Sequence, residues 1–139
     1  MTARGAKAIG DAFYNMAIDK SRFPNDVLAE YRRTALIPGA MRAMINYCRS
    51  SFRSNPMKDV WKNPPKFDVP TLMIWGEEDA ALGKELTYGT EELVTDFTLR
   101  YLPNVSHWVQ QEAPETVNAM LEAWITGKPV PEADEVRKS

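Results

Sequence analysis

Apolar and polar positions divide the chain into two parts with different patterns. In residues 1–66, apolar side chains recur at the spacing of a helix face and predict three helices. One lies within the first twenty residues, one covers residues 25–36, and one covers residues 41–48. The segment around Pro56 predicts a short helix or a turn, because proline interrupts the pattern there. This first part of the chain therefore predicts helices without strands.

The rest of the chain follows the order strand, helix, strand, helix. Residues 69–75 form a short apolar run that closes at Gly76, which is typical of a strand buried on both faces of a parallel sheet. Residues 97–102 alternate between apolar and polar side chains and predict a second strand. Between them, residues 84–95 carry apolar side chains at helical spacing, so we expect a helix there despite Gly89.

The last helix has the clearest signals in the chain. Pro114 suits its first turn, Glu115 complements the helix dipole there, and Gly127 ends the pattern. Its apolar stripe consists of Val117, Met120, Leu121, Trp124 and Ile125. Residues 128–139 are polar, and we expect them to form a frayed tail.

Composition narrows the class of protein. The chain has 139 residues, of which 44% are hydrophobic and 26% charged, as in a globular domain rather than a disordered or collagen-like chain. No apolar run approaches the roughly 20 residues of a membrane span. The start lacks the apolar segment of a secretory signal, so we expect a cytoplasmic protein. A single Cys and a single His cannot form a disulfide or a structural zinc site, and we expect no metal and no cofactor.

The two parts also differ in charge. Residues 1–66 carry twelve Lys or Arg and five Asp or Glu, whereas residues 67–139 carry five and fourteen. The basic side chains are scattered along the first part, so they do not predict a nucleic-acid surface. The opposite charges favour two subdomains that attract each other. Their boundary is expected at Pro64-Pro65, a break that neither a helix nor a central strand tolerates.

Two loops directly after the predicted strands carry the candidate chemistry. Glu77, Glu78 and Asp79 follow the first strand, and Ser106 and His107 follow the second. If the strands are parallel neighbours, these loops meet at one edge of the sheet, where Asp79 could orient the His107 imidazole. The other ring nitrogen would then accept a proton from a nucleophile or from water. The alternatives to a catalytic role are that Asp79 only stabilises a turn and that His107 is a structural residue.

The segments VPTLMIWGEEDAAL and LRYLPNVSHWVQQEAPETVNAMLEAWI together resemble the carboxyl-terminal third of an α/β-hydrolase, specifically of the epoxide hydrolase group. The matching features are a strand ending in Gly-x-x-Asp, a strand ending in a Ser-His-Trp turn, and a closing helix after Glu-x-Pro-Glu-x-Val-Asn. Upstream, PGAMRAMINYCRS is similar to the final helices of that family's lid. The resemblance implies an incomplete α/β-hydrolase fold, with a helical lid remnant at residues 1–66, the carboxyl-terminal part of the core at residues 67–127, and a polar tail at residues 128–139.

The resemblance also implies roles for three residues. Asp79 would be the acid that orients the base, His107 the general base, and Tyr47 one of two lid tyrosines that hold and protonate the epoxide oxygen. For the second lid tyrosine, Tyr14 is a candidate without a local motif. Tyr47 could instead be an aromatic residue of the lid core, and Cys48 is most simply a small buried residue. The implied substrate of the complete form is a small apolar epoxide.

The family's nucleophile, an Asp within a Gly-x-nucleophile-x-Gly turn, has no counterpart in this sequence. The seven glycines include no pair four residues apart, and Ser106 lacks such a turn. We therefore expect the chain to keep the acid and the base, to lack the nucleophile, and to be inactive alone. A truncated sheet leaves strand edges and helix faces uncovered, so we also expect self-association.

Two other interpretations remain open. In the first, the chain is a non-catalytic module that pairs with itself or with a partner through its uncovered apolar surface. In the second, it belongs to a hydrolase that acts by dehalogenation, whose mechanism with an Asp nucleophile closely resembles epoxide hydrolysis.

Overall fold

A computed structural model describes residues 5–53 and 64–137 of the chain. The described residues fall into two compact units. The helical unit is drawn from Met1–Asn15 and Phe23–Pro65, and the sheet unit is drawn from Met16–Arg22 and Lys66–Ser139. The helix or turn predicted around Pro56 lies outside the described residues.

The helical unit contains the three helices that its periodicity predicts. They are α1 (Lys7–Met16), α2 (Asn25–Ala35) and α3 (Ala40–Arg53). The turn between α2 and α3 passes through Gly39, whose φ of 89° is a left-handed conformation that glycine adopts readily. Ala6, Ala35 and Met41 form a small buried cluster. Phe13 on α1 stacks on Tyr31 on α2, with the ring centroids 4.1 Å apart.

The sheet unit is built on two parallel strands. They are β1 (Thr71–Gly76) and β2 (Phe97–Leu102). The register runs from Thr71 opposite Phe97 to Gly76 opposite Leu102, so both strands end at the same edge. Leu72 and Ile74, which alternate along β1, pack against the core of this unit. The two predicted strands and their common end are therefore confirmed.

The single helix predicted over residues 84–95 is wrong. The structure has a 3-10 helix at Lys84–Thr87 and a short helix α4 at Thr90–Leu93. Tyr88 is extended and Gly89 has a φ of 79°, which a right-handed helix cannot continue. Thr87 is fully buried, and its hydroxyl shares a hydrogen bond with the Tyr101 hydroxyl of β2. This tertiary contact accompanies the break in the helical pattern.

Three further helices flank the sheet. They are α5 (Val109–Glu112), α6 (Pro114–Ile125) and α7 (Ala133–Val136). Helix α6 begins at the predicted proline, and Gly127 follows its end with a φ of 69°. The buried core of the unit consists of Leu102, Val105, Ala113, Val117, Met120, Val130 and Ala133. Only part of the predicted stripe of α6 is in this core, since Leu121, Trp124 and Ile125 are exposed.

The frayed tail expected after residue 127 is also wrong for the described residues. Val130 and Ala133 are buried in the core, and the Arg100 guanidinium donates to the backbone oxygens of Val130 and Pro131. Burial of these two apolar side chains removes apolar surface from water and, with the Arg100 hydrogen bonds, holds the segment against the core. Among the described residues, no helix is both long and apolar enough to cross a bilayer.

Candidate active site

The two loops that leave the sheet touch through their backbones. The amide of Glu77 donates to the Leu102 carbonyl at 3.1 Å and extends the pairing past the end of β1. Next to it, a Cβ atom on Gly76 would overlap the carbonyl oxygens of Val105 and Ser106. Only glycine permits this approach, so Gly76 sets the spacing between the loop that carries Asp79 and the loop that follows β2.

Asp79 lies in the first loop with its side chain 6% exposed. Its Oδ1 atom accepts hydrogen bonds from the Ala81 amide at 2.8 Å and the Leu82 amide at 2.9 Å. Asp79 therefore has the turn-stabilising role that the sequence offered as the alternative to a catalytic one. It coexists with a second contact, described next, because a carboxylate has several acceptor positions.

His107 lies in the second loop, and the structure brings it to Asp79. The His107 Nδ1 atom is 2.9 Å from Oδ2 and 3.1 Å from Oδ1 of Asp79. An ionised carboxylate only accepts, so Nδ1–H is the donor and Nε2 carries the free lone pair of the neutral ring. The Trp108 ring meets the imidazole edge-on, with the centroids 4.7 Å apart and the planes at 80°. The predicted proximity of Asp79 and His107 is therefore confirmed.

Opposing effects act on the Asp79 carboxyl. Burial raises its pKa, but hydrogen bonds from the Leu82 amide, the His107 ring and the Ala81 amide stabilise the carboxylate. The net result is a pKa below the ordinary value of an Asp. Asp79 is therefore ionised at neutral pH, which suits a group that stabilises an imidazolium.

Ser106 and Glu112 support this arrangement, and sequence reasoning did not assign either a role. Ser106 is fully buried, and its hydroxyl oxygen accepts from the Ala80 amide at 3.1 Å, which links the two loops. Glu112 is 5% exposed, and one of its oxygens accepts from the Ser106 amide at 3.2 Å. No signal in the sequence identifies Glu112, because its burial and its backbone donors appear only in the folded chain.

Tyr47 and Tyr14 lie in the helical unit, on α3 and α1. Tyr47 is 78% exposed and Tyr14 is 40% exposed. The structure thus brings together two of the three predicted site residues, Asp79 and His107, within the sheet unit. Cys48 on α3 is exposed, so its interpretation as a small buried residue is wrong. In the described part of the chain, no cluster of three or more His, Cys, Asp or Glu is arranged to hold a metal.

Comparison with known proteins identifies the family. No protein-family model matches the chain. However, 89 residues are 37% identical to epoxide hydrolase 4 of Mus musculus, covering 63% of this chain and 23% of that protein. Over 99 residues the chain is 30% identical to the AB hydrolase superfamily protein YfhM of Bacillus subtilis (strain 168), covering 71% of this chain and 33% of that protein. The chain corresponds to part of an epoxide hydrolase-type α/β-hydrolase.

The chain spans between about a quarter and a third of the length of these two relatives. A solved structure of the epoxide hydrolase CorEH without ligand matches with a TM-score of 0.65 and 18% identity, over 82% of this chain and 39% of that one. At this identity the match concerns the fold alone. It confirms the predicted fold class, a partial α/β-hydrolase fold.

Proposed function

We propose that Asp79 and His107 are the acid and the base of an epoxide hydrolase active site. The observation that carries the proposal is the 2.9 Å contact between His107 Nδ1 and Asp79 Oδ2 at the ends of adjacent parallel strands. A carboxylate in this position holds the ring so that Nε2 can accept a proton. The similarity to proteins named epoxide hydrolases supports the reaction class.

In the complete form, the proposed reaction has two steps. A nucleophilic Asp, which we place outside this chain, attacks an epoxide carbon, the C–O bond breaks, and the oxygen takes a proton from Tyr47 or a second tyrosine. His107 Nε2 then removes a proton from water, whose oxygen attacks the carbonyl carbon of the ester. The ester C–O bond breaks as the imidazolium gives its proton to the departing alkoxide, and the second proton of the water, released when the new carboxyl group ionises, restores the tyrosine. The diol and the carboxylate are thereby released. Asp79 stabilises the imidazolium formed in this second step.

The domain roles are part of the same proposal. Residues 1–66 would be the remnant of the lid that carries Tyr47, and residues 67–127 would be the part of the core that carries the acid and the base. Residues 128–139 would follow as an appended segment. The proposed substrate of the complete form is a small apolar epoxide, no cofactor is required, and the cytoplasm is the proposed location.

The test joins this chain to the amino-terminal part of the Bacillus subtilis relative, which would supply the remaining strands and a nucleophile. Hydrolysis of styrene oxide is followed for the wild type, for His107→Ala and for Asp79→Asn. We expect His107→Ala to stop turnover while the protein gains the mass of one epoxide, because the ester forms but is not hydrolysed. Asp79→Asn should slow ester hydrolysis by about 10²-fold or more, since it removes the partner of the imidazolium.

Asp96→Asn is the matched control, because Asp96 is an exposed carboxylate immediately before β2. It should hydrolyse the epoxide at the wild-type rate. Turnover by His107→Ala at the wild-type rate would contradict the proposal. Chloride release from a chloroalkane, without diol formation from the epoxide, would support the dehalogenation alternative instead.

We also propose that the chain alone self-associates. Within the described residues the sheet has only two strands, so each strand has one edge without a strand partner. Several large apolar side chains are well exposed, notably Phe67, Val69, Leu86 and Ile125. A second copy of the chain would pair with the open strand edges and bury the exposed apolar side chains.

A further inference from the structure

Glu112 is a buried carboxylate that accepts hydrogen bonds from three backbone amides. Its Oε1 atom accepts from Ser106 at 3.2 Å, and its Oε2 atom accepts from Ile18 at 2.7 Å and from Asp19 at 3.2 Å. All four residues belong to the sheet unit. Burying a carboxylate costs free energy unless hydrogen-bond donors occupy its acceptor positions. Here the donors are backbone amides that lie outside helices and strands.

The position of Glu112 along the chain gives these contacts a specific effect. Helix α5 turns back directly after His107 and Trp108, so the Glu112 side chain reaches the amide of Ser106, the residue before His107. The Glu112 backbone amide donates to the Trp108 carbonyl at 2.9 Å. Glu112 thus holds the backbone on both sides of His107, once through its side chain and once through its main chain.

The same contacts extend to the loop of Asp79. Ser106, whose amide is held by Glu112, accepts a hydrogen bond from the Ala80 amide through its hydroxyl. Ala80 is the neighbour of Asp79 along the chain. A continuous path of hydrogen bonds therefore runs from Glu112 through Ser106 to the loop that positions the Asp79 carboxylate.

We propose that Glu112 is a positioning residue, which fixes the backbone of residues 106–108 so that His107 presents Nδ1 to Asp79 and Nε2 to the reacting water. The catalytic part of this statement rests on the proposed function, but the orientation of His107 does not. The carboxylate is required because all three partners are donors. A Gln side chain would turn an NH₂ group toward at least one of these amides, where no acceptor is available.

The experiment uses the 139-residue chain and its single histidine. His107 is the only source of imidazole signals, so its ¹⁵N resonances report the tautomer without ambiguity. At a pH where the ring is neutral, we expect the wild type to carry the proton on Nδ1. In Glu112→Gln, the ratio of the Nδ1 to the Nε2 tautomer should fall about tenfold, and the Nδ1 proton should exchange with water about tenfold faster.

Glu115→Gln is the matched control. Glu115 is a carboxylate three residues further along that also binds the segment of residues 16–22, since Arg22 contacts both of its oxygens at 3.1 Å. Within the part of the chain that the structure describes, the Ser106 amide is held by Glu112 and not by Glu115, so Glu115→Gln should leave the His107 tautomer unchanged. A Glu112→Gln protein that is folded and keeps the wild-type tautomer ratio would overturn the proposal, because a purely structural role predicts only a lower melting temperature.

A measurement on the wild type keeps the proposal falsifiable if Glu112→Gln does not fold. The amides of Ile18, Asp19 and Ser106 should exchange with deuterium at least tenfold more slowly than in an unstructured chain. Unprotected exchange at Ser106 would also overturn the proposal. Neither readout involves a substrate or a nucleophile, so failure of the proposed hydrolysis and failure of this positioning role are separate results.

Discussion

Gly76 at the end of β1 lies directly against the backbone carbonyl of Ser106, with no room between them for a side chain. This contact joins the ends of the two strand-end loops, and the side chains of Asp79 and His107 project from the same loops. The geometry of the proposed acid and base thus depends on Gly76, because a residue with a side chain does not fit there.

Gly76→Ala is therefore expected to destabilise the sheet unit. The added methyl group would overlap two backbone carbonyls that cannot rotate away, and overpacking of this kind costs about 1–3 kcal/mol in the free energy of unfolding. Urea unfolding followed by tryptophan fluorescence measures the change. Gly83→Ala is the control, because its Cβ would meet only the flexible end of the Glu85 side chain. Equal stability of the two variants would show that the loops do not pack as described.

The positions of Asp79 and His107 could be predicted from sequence because Asp79 follows a short apolar strand and His107 follows a strand of alternating apolar and polar residues. Parallel strands bring their carboxyl ends together, so the residues after them become neighbours whatever the rest of the chain does. The prediction of a single helix over residues 84–95 is wrong because the conformation of this segment depends on tertiary contacts. Its periodicity is real, but Gly89 is left-handed, and the buried Thr87 hydroxyl contacts Tyr101 of β2, a tertiary contact that local spacing cannot encode.

The hydrogen-bond partners of Glu112 could not be predicted from the sequence alone. Two of its three partners, Ile18 and Asp19, lie more than ninety residues earlier in the chain, and their contribution comes from backbone amides. Backbone donors have no signature in side-chain chemistry, so no motif points to them. The prediction of a frayed tail after residue 127 is wrong for a similar reason, since the burial of Val130 and Ala133 depends on a core assembled by other elements.

The lowered pKa of Asp79 predicts a specific dependence of stability on pH. An unfolded Asp titrates near pH 3.9, so the stabilisation from the Asp79 carboxylate is fully present above that pH. It is lost as the pH falls through the lower pKa of the folded state. The difference in unfolding free energy between the wild type and Asp79→Asn should therefore shrink as the pH falls from about 4 through the lower folded-state pKa of Asp79.

Urea unfolding at a series of pH values measures this difference. Glu30→Gln is the control, because Arg33 also lowers the pKa of Glu30 but the pair is exposed on α2. Exposed ion pairs contribute little, so Glu30→Gln should follow the wild type closely over the whole range. A pH-independent difference between the wild type and Asp79→Asn would mean that the Asp79 carboxylate is not stabilised in the folded state.

The chain alone is expected not to hydrolyse styrene oxide above the rate in buffer. Asp79 and His107 can activate water, but without a nucleophilic carboxylate there is no covalent ester for that water to attack. Diol formation measured by chromatography is the test, with His107→Ala beside the wild type. Turnover that His107→Ala abolishes would contradict this prediction and reveal a nucleophile within the chain. Asp79 would then be the first residue to examine.

Self-association is expected to depend on the exposed end of α6. Ile125 is 74% exposed, and burying such a side chain contributes roughly 1.5–3 kcal/mol. A two-stranded sheet is itself marginal, so strand edges and apolar surface both favour a second copy. At micromolar concentration, light scattering after size exclusion should give a mass of at least twice 15.8 kDa. Ile125→Gln should shift the population toward the monomer.

Glu122→Gln provides the comparison, since Glu122 is an exposed residue on the same helix that receives the same new side chain. Because it removes no apolar surface, it should leave the mass distribution unchanged. A monodisperse 15.8 kDa particle with a sharp cooperative melt would contradict the proposal. The exposed apolar side chains would then have to be tolerated in water by a sheet unit whose own core, built around Leu102, Val117 and Met120, is sufficient for folding.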